Sequence, residues 1–146
     1  MDRLIAFDTV SAKSNLALIA FVESYLSDRG FVLTRLPDAT GQKAGLLARI
    51  GPGDGGVLLS AHSDVVPVAG QQWTTDPFSM QVTDGRAYGR GTTDMKGFLA
   101  AMLRVADQAA QGGLSAPLAL SISYDEEIGC VGIAQMIDHV IPKLGR

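Results

Sequence analysis

The chain has 146 residues, 47% hydrophobic and 18% charged, with a formal net charge of −3; that is one domain with enough apolar residues for a core, which excludes a disordered chain. Twelve basic against fifteen acidic residues leave no basic stripe for nucleic acid, and the single cysteine, Cys130, excludes a disulfide framework and a CxxC zinc site. No apolar run reaches the roughly 18 residues of a membrane span, and MDRLIAFDTVS carries no signal-peptide pattern, so the expected setting is the reducing cytoplasm.

Residues 15–29 place apolar side chains at 16, 18, 19, 22, 25 and 26, the spacing of a helix, and Gly30 ends it. FVLTRL (31–36) and AGLLARI (44–50) predict two strands separated by turn residues. VLLSAH (57–62) is continuously apolar before its polar end, as a buried central strand would be. Residues 65–93 are mostly loop, with short extended pieces at 78–82 and 86–89. Asp94 is placed to cap a helix that runs to about Gln111 and stops at Gly112-Gly113. PLALSISY (117–124) is a further strand, and a last helix over 129–140 is expected to end at Pro142. The order predicts an α/β fold with a largely covered mixed sheet flanked by helices.

The chemistry-bearing residues gather where predicted strands end. His62 and Asp64 close one strand, Asp94 opens a helix, and Asp125, Glu126 and Glu127 close another strand. In α/β folds, ligands bind beyond the carboxyl ends of the strands. In extended chain, Asp64 points the same way as His62 and can hold the ring nitrogen that a ligand does not use. The plain alternative is a surface H-x-D. Asp94 sits in GRGTTDMKG, which lacks both phosphate-loop patterns; an acid there repels phosphate and suits a cation, or is simply a helix cap. Glu126 and Glu127 are two of only three glutamates in the chain. In a regular strand they would diverge, which suits one metal ligand and one proton acceptor, or else a solvated turn. Nucleophilic catalysis competes poorly. Strand alternation turns Ser60 and Ser63 away from His62, no GxSxG elbow exists, and Cys130 has no matched histidine. His139 reads as an exposed helix residue, and Trp73 as loop packing.

Four segments in order, LLSAHSDVVPV, GQQWTTDPF, YGRGTTDMKGFLAAML and SYDEEIGCVG, resemble the M20 di-zinc amidohydrolases and peptidases over roughly residues 1–140. The resemblance implies a zinc-peptidase catalytic fold with two Zn²⁺ ions in the complete enzyme, Co²⁺ being an alternative. It assigns His62 to one zinc with Asp64 orienting it, Asp94 to a bridge between the ions, and Glu127 to the second ion. Glu126 becomes the general base, and the Asp94–Met95 peptide is expected to be cis. The activity implied is hydrolysis of a small N-acyl amino acid, N2-acetyl-L-ornithine to L-ornithine and acetate, within arginine biosynthesis. The alternatives are N-succinyl-diaminopimelate desuccinylation, another aminoacylase or dipeptidase activity, and a non-catalytic binding module.

The family pattern uses a further carboxylate some two dozen residues past the glutamate pair and a histidine near the end of a longer chain. The present chain stops 19 residues after Glu127. Residues 1–146 are therefore expected to be the N-terminal part of a metallohydrolase catalytic domain without its lid and dimerisation domain. On that expectation the parent is a homodimer, while the isolated chain is inactive and self-associates through uncovered surface.

Overall fold

The computed structural model describes residues 1–144. A four-residue turn of helix, α1 (Asp2–Ile5), precedes α2 (Leu16–Ser27). The strands β1 (Val32–Pro37), β2 (Ala44–Ile50) and β3 (Val57–His62) follow. A small hairpin, β4 (Gln81–Thr83) with β5 (Arg86–Tyr88), leads to α3 (Lys96–Ala109), β6 (Leu118–Ser123) and α4 (Val131–Leu144). The main sheet has the order β1-β2-β6-β3, with β1–β2 and β2–β6 antiparallel and β6–β3 parallel. This is the expected mixed sheet flanked by helices.

Helices α2 and α3 cover one face. Leu18, Ile19, Val22 and Leu26 from α2 and Leu99, Met102 and Leu103 from α3 meet Leu46, Leu120 and Ile122 of the sheet. Each such side chain contributes about 1.5–3 kcal/mol by leaving water. The other face is thinner: Met136 and Val140 of α4 lie on Leu47. Close approach there depends on Gly45, where an added Cβ would stand 2.2 Å from the Met136 sulfur. No helix among the described residues is long and apolar enough to cross a membrane.

Three expectations are corrected. The central, wholly buried strand is β6, while β3 lies at the sheet edge with Val57 58% exposed. A continuous apolar run is common to both positions, and only pairing distinguishes them: β3 hydrogen-bonds β6 alone among the described strands. The last helix does not stop at Pro142, because a proline near a helix end removes one ladder bond without ending the last turn. Asp94 does not cap α3. Met95 occupies the N-cap position, and the Asp94 side chain turns to His62 instead.

Candidate metal centre

Parallel pairing of β3 with β6 places His62 level with Ser123, so both strands deliver their following turns to one sheet edge. The N-terminal segment extends that edge. Val65 donates to Thr9 O, Ser11 donates to Val65 O, and Val10 bridges Val65 in parallel. The loop before α3 brings Asp94 to the same place, and the Asp94–Met95 peptide is cis. Met95 places its sulfur 3.3 Å from the His62 backbone nitrogen.

His62 is buried, and its two ring nitrogens face different partners. Nδ1 lies 2.9 Å from the Asp64 carbonyl oxygen and 3.4 Å from the Asp64 carboxylate. Nε2 lies 3.0 Å from Asp94 Oδ1 and 3.7 Å from Glu126 Oε2. The inner nitrogen is thus held by Asp64, and the outer one opens onto carboxylates. Burial works against the charged imidazole, but the Asp64 and Asp94 carboxylates outweigh it and raise its pKa to about 9.

Asp64 is the buried hub of the site. Its carboxylate accepts the Ser11 hydroxyl at 2.6 Å, the Glu126 N–H at 3.1 Å and the Glu127 N–H at 3.3 Å. Burial opposes its charge, but these donors and His62 prevail and hold its pKa at about 2. Burial and the neighbouring Asp94 charge raise the Glu127 pKa. The glutamates do not diverge as in a regular strand. β6 ends at Ser123, Asp125 takes a left-handed conformation (φ 55°), and the chain turns. One ligand atom each from His62, Glu126 and Glu127 then falls within 4.8 Å of the other two. Asp tolerates that conformation better than most residues.

The five residues that the family resemblance assigns, His62, Asp64, Asp94, Glu126 and Glu127, share this edge, and the last three line one rim of it with Asp94 the most exposed. Beside Asp94 and Glu127 a cavity of about 200 Å³ opens, lined also by Val66, Arg90, Thr92 and Thr93. Asp125 is not part of the cluster; it pairs with Lys43, whose ammonium also donates to Ser11 O at 2.6 Å. Ser63 is spent on Asn15 and Ser123 O, away from the imidazole. Cys130 lies 3.7 Å from Glu126 Oε1, and burial together with that carboxylate raises its thiol pKa, the opposite of an activated nucleophile. His139 is exposed, and Trp73 packs in its loop against Arg90. Ser11 and Lys43 escaped the sequence reading. Ser11 lies 53 residues from Asp64 in a turn with no periodic cue.

This donor set fits a divalent cation. One imidazole nitrogen and several carboxylates converge, and the nearby negative charge exceeds what His62 alone can neutralise. An imidazole and several carboxylates gathered at the strand ends of a mixed α/β sheet are the framework of a metal-binding domain. The chain belongs to peptidase family M20/M25/M40, whose profile matches residues 58–145. It is 38% identical over 143 residues to an acetylornithine deacetylase of Pasteurella multocida (strain Pm70), covering 93% of this chain and 37% of that protein. It is 39% identical over 136 residues to an acetylornithine deacetylase of Shigella sonnei (strain Ss046), covering 88% and 36% respectively. The fold matches the M20 family metallo-carboxypeptidase Sso-CP2 from Sulfolobus solfataricus with a TM-score of 0.83 at 25% identity, over 98% of this chain and 34% of that one. The chain thus spans little more than a third of the relatives it matches.

Proposed function

We propose that the chain carries the metal-binding half of an amidohydrolase that cleaves N2-acetyl-L-ornithine to L-ornithine and acetate. The carrying observation is the facing of His62 Nε2 toward Asp94 and Glu126 while Asp64 holds Nδ1. The two deacetylase relatives support the substrate. His62, Asp94 and Glu127 would hold Zn²⁺, with Co²⁺ as a substitute. When bound there, zinc would polarise the acyl carbonyl and lower the pKa of a nearby water.

Glu126 is the general base. It projects from the same turn as Glu127, is partly exposed, and lies 3.7 Å from His62 Nε2, within reach of a water beside the ligands. It takes the proton of the attacking water and returns it to the leaving amine nitrogen. Asp64 keeps the imidazole oriented and its outer nitrogen available. On this reading two further ligands and a lid and dimerisation domain lie outside these 146 residues, and the complete protein is a homodimer.

The test is turnover of N2-acetyl-L-ornithine, with added Zn²⁺ or Co²⁺, by this chain and by the complete protein that contains it. Activity of the complete protein alone is the expected result. No activity from either overturns the substrate. Activity from the short chain overturns the incomplete-site reading. The likeness to a metallo-carboxypeptidase favours a second reading, cleavage of a peptide, so a dipeptide and an N-succinyl amino acid belong in the same panel.

A further inference from the structure

The carboxylate of Asp64 joins three segments that the sequence holds far apart. Ser11 in the N-terminal segment donates to Oδ2, the Glu126 N–H to Oδ1 and the Glu127 N–H to Oδ2. Ser11 and Asp64 are both buried, so these bonds are shielded from competing water. A carboxylate fixed only by two backbone N–H groups from one turn could still pivot about them. The Ser11 hydroxyl, the shortest contact at 2.6 Å, comes from another segment and removes that freedom. The Lys43 ammonium in turn holds Ser11 O and pairs with Asp125, the left-handed residue that starts the Glu126–Glu127 turn.

We propose that Ser11 is a positioning residue for the metal centre, acting through the Asp64 carboxylate on the turn that carries Glu126 and Glu127. The Ser11 hydroxyl bonds Asp64 and none of the proposed ligands His62, Asp94 and Glu127. Its hydroxyl sets where Asp64 lies. Asp64 then sets the height of the two glutamate backbones and the tilt of the His62 ring. The inference rests on the metal-centre reading of His62, Asp94 and Glu127. Partners one shell out from metal ligands typically shift metal affinity by roughly 10–100-fold when removed.

The same segment supplies a control. Thr9, also buried, donates its hydroxyl to Ser63 O at 2.7 Å and does not touch Asp64. A general loosening of the N-terminal segment would affect both hydroxyls alike, whereas positioning through Asp64 would affect Ser11 alone. The experiment measures Zn²⁺ affinity by competition with a chromogenic chelator, alongside thermal melting, for the complete protein that contains this chain and for its Ser11→Ala, Ser11→Cys and Thr9→Val variants. Ser11→Ala is expected to bind zinc roughly 10–100-fold more weakly, with Thr9→Val within a few-fold of the parent. Ser11→Cys keeps the volume with a poorer donor and falls between; it decides the matter if Ser11→Ala does not fold. Parental affinity in the Ser11 variants, or an equal loss in Thr9→Val, overturns the proposal. A complete protein that binds no zinc overturns the metal-centre reading instead, and this proposal with it.

Discussion

His62 Nε2 and Asp94 Oδ1 meet at 3.0 Å across 32 residues of sequence, with the imidazole buried and the carboxylate largely exposed. A buried ring cannot swing to find its partner, so the exposed carboxylate adapts to the histidine. The pair occupies the outer face of the cluster, and its two atoms are the ones a cation would take. His62→Ala should therefore abolish zinc binding in the complete protein, while Asp94→Ala should weaken it and leave residual binding by His62 and Glu127. Isothermal titration with Zn²⁺ checks both. Equal retention in the two variants would dissociate the ring from the metal site.

Glu126 and Glu127 separate ligand from base. Glu126→Gln in the complete protein should retain metal content and lose at least 10²-fold in turnover, the usual scale of a lost general base. Glu127→Gln should lose metal as well. Metal analysis beside kinetics decides it, and retained activity in Glu126→Gln removes that residue from the base role.

Packing beneath the glutamate turn is tight at Gly132, in the first turn of α4. A Cβ there would stand 2.2 Å from the Tyr124 carbonyl oxygen and 2.9 Å from its backbone nitrogen and ring. Those backbone atoms cannot yield without moving the chain that leads into Asp125. Gly132→Ala should cost about 1–3 kcal/mol, the scale of overpacking, even though alanine favours helix. A lower urea midpoint with an unchanged m-value is the expected signature.

Lys96 is fully buried, with its ammonium 2.6 Å from Phe7 O. Burial lowers its pKa from the ordinary 10.5 to about 8. Between those values the unfolded chain binds the proton and the folded chain does not, so stability rises with pH through that window. The rise has an upper limit of about 3 kcal/mol, from roughly 1.4 kcal/mol per pKa unit. Below about pH 8 both states are protonated and the penalty is complete. Urea midpoints between pH 7.5 and 9.5 should climb in the parent and stay flatter in Lys96→Met; parallel curves would remove Lys96 as the source.

Much of the fold is legible along the chain. The 3.6-residue period of 16, 18, 19, 22, 25 and 26 marks α2, and β2 and β3 begin and end where their apolar runs do. The turns, the cation-suited acids and the H-x-D pair are equally local, because each depends on residues within a few positions of one another. Single-turn α1 left no periodic trace, since four residues are too few to repeat.

What only the tertiary structure decided depends on pairing between distant segments. Whether an apolar run lies at the centre or the edge of a sheet is set by its neighbours, and β3 had one where its composition suggested two. Asp94 had the sequence of a helix cap and became a partner of His62, because the sheet edge brought the ring to it. The glutamates converge because Asp125 leaves the strand conformation, and Asp64 holds them through backbone N–H groups that carry no residue-specific signature. Residue types along the chain therefore name the chemistry. The parallel pairing of β3 with β6, which no local pattern encodes, brings that chemistry to one place.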